Sequence, residues 1–171
     1  MRELLLSITV MALLLGCSSK EEEKFFRIYE KNKDYHLKLQ RTEKINLKEG
    51  EFTKILLTAT YLFEPVSDKE DKRDEKFIVG FFVDDEDVFV DMGDYEITLN
   101  GTEPKSVKML KKNDPLLKSI SFDSEWTHFY LLSFPHTNSK SFKLLFESDF
   151  YGKGELHFAK VAKYVLTKQA F

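Results

Sequence analysis

The chain has 171 residues, of which 42% are apolar, 32% charged and 14% aromatic. That length makes one domain and excludes a multidomain enzyme, and the balance is too apolar for disorder and too interrupted by charge for a polytopic membrane protein. Lys plus Arg number 26 against 29 Asp plus Glu, a net charge of −3, so no broad basic face is offered to a nucleic-acid backbone, and nucleic acid drops out as a partner. The first feature in chain order is an uncharged, mostly apolar run from Leu4 to Leu15, preceded by Arg2 and Glu3 and ending in Gly16-Cys17. A helix of that length reaches about 18 Å, short of the roughly 30 Å hydrocarbon layer, so the run reads as an export signal and not a membrane span.

Leu14-Leu15-Gly16-Cys17 resembles the lipobox of bacterial lipoproteins. The resemblance implies diacylglyceryl transfer to Cys17, cleavage between Gly16 and Cys17, and a mature chain that begins at the lipidated cysteine. Cysteine arithmetic agrees: Cys17 is the sole cysteine, an exported chain with one thiol forms no internal disulfide, and a thioether-linked lipid removes the free thiol. Two or three acyl chains such as palmitate give lasting attachment, because each buried methylene contributes about 0.8 kcal/mol. Ser18 and Ser19, at the positions that sort bacterial lipoproteins, imply transfer to the outer membrane. The expected layout is a signal peptide over 1–16, a lipidated tether over 17–24, whose Ser18 to Lys24 has no apolar residue, and a folded domain over 25–171.

A mature domain of about 150 residues buries roughly 68–70% of its unfolded surface, enough for a core without disulfides. Its pattern is that of strands. Thr53 to Phe63 alternates, with Ile55, Leu57, Ala59, Tyr61 and Phe63 on one parity and Thr58 and Thr60 on the other. Tyr95, Ile97 and Leu99 alternate with Glu96 and Thr98 before Asn100-Gly101, a dipeptide suited to a tight hairpin turn. Phe142, Leu144 and Phe146 alternate with Lys143 and Glu147. Phe77 to Val83 and Trp126 to Phe134 are apolar on both parities and predict central strands covered on both sides or bordered by long loops. Weaker strands are expected at Tyr35 to Leu39, Val88 to Val90, Ser106 to Leu110 and Leu117 to Phe122, with Gly152-Lys153-Gly154 making a hairpin between Phe150 and Leu156. Phe25 to Tyr29 reads as a short helix or an edge strand. Phe158, Val161, Ala162 and Val165 fit helical spacing, but a last strand is preferred there. The fold class expected is all-β: an antiparallel sandwich of eight or nine strands, immunoglobulin-like or a flattened barrel, with room for one short helix. Asp91-Met92-Gly93-Asp94-Tyr95 resembles the D-x-G-x-Y tyrosine corner of immunoglobulin-like domains, the alternative being a loop glycine before an ordinary core tyrosine.

Chemistry is sparse. Asp84, Asp85, Glu86, Asp87, Asp91 and Asp94 gather hard oxygen ligands, and Asp84, Asp85, Asp87 and Asp91 are the candidates for Ca²⁺. The spacing is not that of an EF-hand loop, so a solvated connection between strands is the preferred reading. Ser67 to Lys76 mixes acids and bases and reads as a surface excursion. His36, His128, His136 and His157 are far apart and form no metal-binding pair; His128 is expected to be partly buried or on a sheet face with one hydrogen bond, and His136 on a turn surface. No G-x-S-x-G elbow and no phosphate loop occur, so no catalytic residue and no cofactor beyond the covalent lipid are assigned. The function expected is a noncatalytic, lipid-anchored module of the cell envelope that works through protein contacts as an assembly or accessory factor. The alternative is a carrier that holds an apolar ligand in a β-lined cavity.

Overall fold

The computed structural model describes residues 19–64, 71–83, 95–122, 124, 127–149 and 151–160. The chain divides into two compact units, Met1–His36 and Leu37–Phe171. In the first, helix α1 (Ser19–Lys31) takes in most of the stretch expected as a tether. Its charges are of both signs, with an exposed Arg27–Glu23 pair one turn apart, an arrangement that supports a solvated helix weakly. Helix α2 (Lys33–Gln40) follows Asn32 and carries Asp34 in its first turn, where a carboxylate meets the positive end of the helix dipole. This overturns the strand expected over Tyr35 to Leu39. The alternation of Tyr35, Leu37 and Leu39 is only five residues long, and α2 has no buried residue, so no sheet face was there to hold it.

The second unit is the antiparallel sandwich. Strands β1 (Thr42–Glu49), β2 (Phe52–Tyr61), β3 (Glu75–Val83), β5 (Ser106–Leu110) and β6 (His128–Phe134) form one sheet in the order β1-β2-β3-β6-β5. Strands β4 (Glu96–Leu99), β7 (Ser141–Ser148) and β8 (Gly152–Ala159) form the other in the order β4-β7-β8. Every pairing is antiparallel. The described strands number eight. Strand β8 carries Phe158 as expected, whereas Val161 to Val165 and the expected strand at Val88 to Val90 lie outside the described residues.

The inward parity of each strand meets in one core. Ile55, Leu57, Ala59 and Tyr61 of β2 and Phe77, Val79 and Phe81 of β3 face Phe142, Leu144 and Phe146 of β7 and Leu156 and Phe158 of β8. The rings interlock: Phe77 sits edge-on to Phe134 at 5.8 Å and to Phe158 at 5.1 Å, and Tyr61 edge-on to Phe142 at 5.0 Å. Such pairs each contribute about 0.5–1.5 kcal/mol beyond their burial. The outer face of the five-stranded sheet has a smaller cluster, in which Ile78, Phe129 and Leu110 pack with Leu117. This second covering is why β3 and β6 read as apolar on both parities. Leu117 comes from a 3-10 helix, Pro115–Ser119, and not from the strand expected over Leu117 to Phe122. Asp114 caps it by accepting the Leu116 N–H at 3.0 Å, and Pro115 sets the first helical φ, so local turn chemistry overrides a weak apolar pattern.

Two glycines shape the sandwich. Asn100 and Gly101 have φ of 49° and 81°, and Leu99 and Thr102 exchange two backbone hydrogen bonds across them at 2.9 Å, the tight turn expected. Gly154, expected in a hairpin loop, lies within β8, opposite Phe146. A Cβ there would fall 2.2 Å from Ile45 Cδ1 and 3.3 Å from Leu47 Cδ2. Bare backbone at Gly154 therefore lets β8 press against β1, and one long side of the sandwich closes. Next to this contact the register of β1 shifts between Leu47 and Lys48, a bulge that bends the edge strand.

Candidate functional site

Where β2 ends and β3 begins, the domain has a cavity of about 420 Å³ lined by Tyr61, Leu62, Phe63, Glu64, Asp71, Arg73, Asp74, Glu75 and Lys76. Its floor is a buried polar cluster. Glu75 occupies the inward parity of β3, in line with Phe77, Val79 and Phe81, and is only 4% exposed. Its Oε2 accepts the Tyr61 hydroxyl at 2.5 Å. Its Oε1 accepts the Lys160 ammonium at 2.6 Å and the Thr137 N–H at 3.1 Å, and His136 Nδ1 lies 3.4 Å away. Lys160 also donates to the Thr137 carbonyl. One carboxylate thereby ties together the end of β2, the start of β3, the β6–β7 connection and the residue after β8.

The electrostatics follow from this burial. Removal from water, then the hydrogen bond to Glu75, pushes the Tyr61 phenol far above its ordinary range and keeps it a proton donor. Arg41, also buried, donates to the Phe63 carbonyl and stands over the Phe63 ring at 5.2 Å; desolvation lowers its pKa. Its Nε is buried with no hydrogen-bond partner among the described residues. At the rim, Arg73 donates to Asp71 Oδ1 at 2.8 Å and Oδ2 at 2.9 Å and to the Glu64 carbonyl at 2.6 Å. The Arg73 guanidinium holds the Asp71 carboxyl well below the usual carboxylate range. Lys105 donates to Asp74 at 2.5 Å and lowers that pKa in the same way. Asp71 and Asp74 are thus held as carboxylates by cations, and the Glu75 oxygens are committed to Tyr61, Lys160 and Thr137. The cluster is built to fasten chain segments.

The residues singled out in the sequence lie elsewhere. Gly16 and Cys17, and the calcium candidates Asp84, Asp85, Asp87 and Asp91, lie outside the described residues, as do Glu86, Asp94, Trp126 and Phe150. No group of three metal-ligating side chains converges among the described residues. Ser67 to Lys76 is not a surface excursion throughout, because Glu75 and Lys76 belong to β3. His128 is exposed at the start of β6. His136 is half-buried in the β6–β7 connection, its Nδ1 3.1 Å from the Arg73 carbonyl, where a turn-surface residue was expected. His36 stacks on Tyr29 at 5.3 Å, and His157 is exposed on β8, 3.9 Å from Glu155. The Tyr95 ring packs on Phe81 and Phe146 at 5.6 and 5.1 Å, as a core tyrosine does. Glu75 was missed, although a carboxylate in phase with three inward apolar residues was its signal. Compared with known proteins, the chain matches no family model, no curated protein and no solved structure.

Proposed function

We propose that this protein is a bacterial lipoprotein, held on the outer membrane by a diacylglyceryl group on Cys17, and that its sandwich is a noncatalytic binding module that acts on an envelope protein by surface contact. The observation that carries the anchor is the position of the only cysteine, at the end of an uncharged apolar run and directly after Gly16. No helix among the described residues is long and apolar enough to cross a membrane. The packing supports contact over carriage of an apolar ligand, because aromatic rings with centroids 4.9–6.3 Å apart occupy the space between the sheets that a carrier keeps open.

The test is Cys17→Ser expressed in a two-membrane bacterium with labelled fatty acid. The substitution is expected to abolish labelling and to release the domain into the soluble fraction. Unchanged membrane partitioning, or a wild-type chain carrying a free thiol and an uncleaved leader, refutes the anchor.

A further inference from the structure

The two sheets are unequal in width, and among the described residues the difference leaves one strand with a single neighbour. At one side of the five-stranded sheet, β1 lies against β8. At the other side β5 pairs with β6 alone among the described residues. Val107 and Met109 stand opposite Leu132 and Tyr130 on the core face. Leu132 and Tyr130 are buried, but Val107 and Met109 are 45% and 52% exposed. A strand edge unpaired among the described residues, beside exposed apolar side chains, is a template for another strand, which proteins leave open only where pairing is useful or otherwise blocked.

The charge on β5 selects the occupant. Lys108 stands at the centre of the strand, on the opposite face, across from Leu131, and Lys111 follows the strand end; both are exposed. A second copy laid antiparallel and centred on β5 would set Lys108 against Lys108, and like charges directly opposite destabilise a pair. A strand with an acid at that position gains the attraction instead.

We propose that the β5 edge binds an extended acidic segment of another protein by strand addition, with apolar residues over Val107 and Met109 alternating with a carboxylate beside Lys108. This deepens the contact function proposed above and names the surface and the chemistry of its partner.

The test uses the mature full chain, a synthetic decapeptide of alternating valine and glutamate, its valine–lysine counterpart, and a backbone N-methylated form of the acidic peptide. The expected result is binding of the acidic peptide alone, with new amide-exchange protection confined to Ser106–Leu110. Lys108→Glu is expected to weaken that binding by about tenfold, as a cross-strand attraction becomes a repulsion, and to admit the valine–lysine peptide. Met109→Ser, at an exposed position, should weaken binding without loss of folding. Absence of binding, equal binding of both charges, retained binding of the N-methylated peptide, protection at another edge, or a β5-mediated dimer in sedimentation overturns the proposal. Such a failure is separable from failure of the anchor, because fatty-acid labelling at Cys17 is measured independently.

Discussion

Replacing Glu75 by glutamine keeps the shape of the side chain and removes its charge. In the native chain the two carboxylate oxygens accept from Tyr61, Lys160 and Thr137. An amide offers one acceptor oxygen, so its NH2, turned toward Tyr61, can donate to the phenol oxygen but leaves the phenol proton without its acceptor, and Lys160 loses its counter-charge. Breaking a fully buried pair costs about 3–5 kcal/mol, but the Lys160 side chain keeps 19% of its exposure and still has the Thr137 carbonyl. A loss of about 2–3 kcal/mol is therefore expected, or about 5–10 °C in Tm for a domain of this size. Urea unfolding followed by circular dichroism measures it, and Lys160→Met closes a double-mutant cycle. The carboxylate and the ammonium are expected to couple by at least about 1 kcal/mol, so that Lys160→Met costs much less in a chain that already carries Glu75→Gln. Additivity within about 0.5 kcal/mol, or a single-mutant loss below that size, refutes the clamp.

The raised pKa of Tyr61 predicts a loss of stability in alkali. Because the folded chain holds the phenol proton more tightly than the unfolded chain, its contribution is complete below the ordinary tyrosine pKa of 10.0 and declines as pH rises beyond it. Ultraviolet titration should show a phenol that resists ionisation until the domain unfolds, and Tyr61→Phe should remove that lag; a wild-type curve without it would contradict the reading. Gly154→Ala is expected to cost about 1–3 kcal/mol, because its methyl carbon would lie 2.2 Å from Ile45 Cδ1. Ile45→Val in the same chain should restore part of that loss, and a neutral single mutant in thermal melts would show that β1 and β8 are not pressed together there.

The sandwich was legible where inward residues repeat with period two and the repeat is long enough. The pairing of β7 with β8 buries Phe142, Leu144 and Phe146 beside Leu156 and Phe158, and exposes Lys143 and His157. Strand β1 went unread because it carries only two inward apolar residues, Ile45 and Leu47, between charged ones, the weak signal of an edge strand. Tyr35 to Leu39 and Leu117 to Phe122 misled for the converse reason: short apolar spacing was set against Asp34 in a first helical turn and against the Asp114-Pro115 cap. The polar cluster was harder still. Its partners Glu75, Thr137 and Lys160 are up to 85 residues apart, and only tertiary pairing brings them together. Nothing local in Thr137 or Lys160 marks it as part of a site.

The order of the strands along the chain also fixes an order of assembly. Strands β1, β2 and β3 are consecutive and can zip up as a meander, but the next neighbour of β3 is β6, with Phe81 paired to His128. A chain emerging amino end first would thus hold Phe77 and Phe81 bare on a three-stranded half until β6 and the β7–β8 hairpin arrive. During that interval the incomplete molecule would present bare apolar strand surface, and closing the long β3–β6 connection is the non-local, slow step expected of this topology.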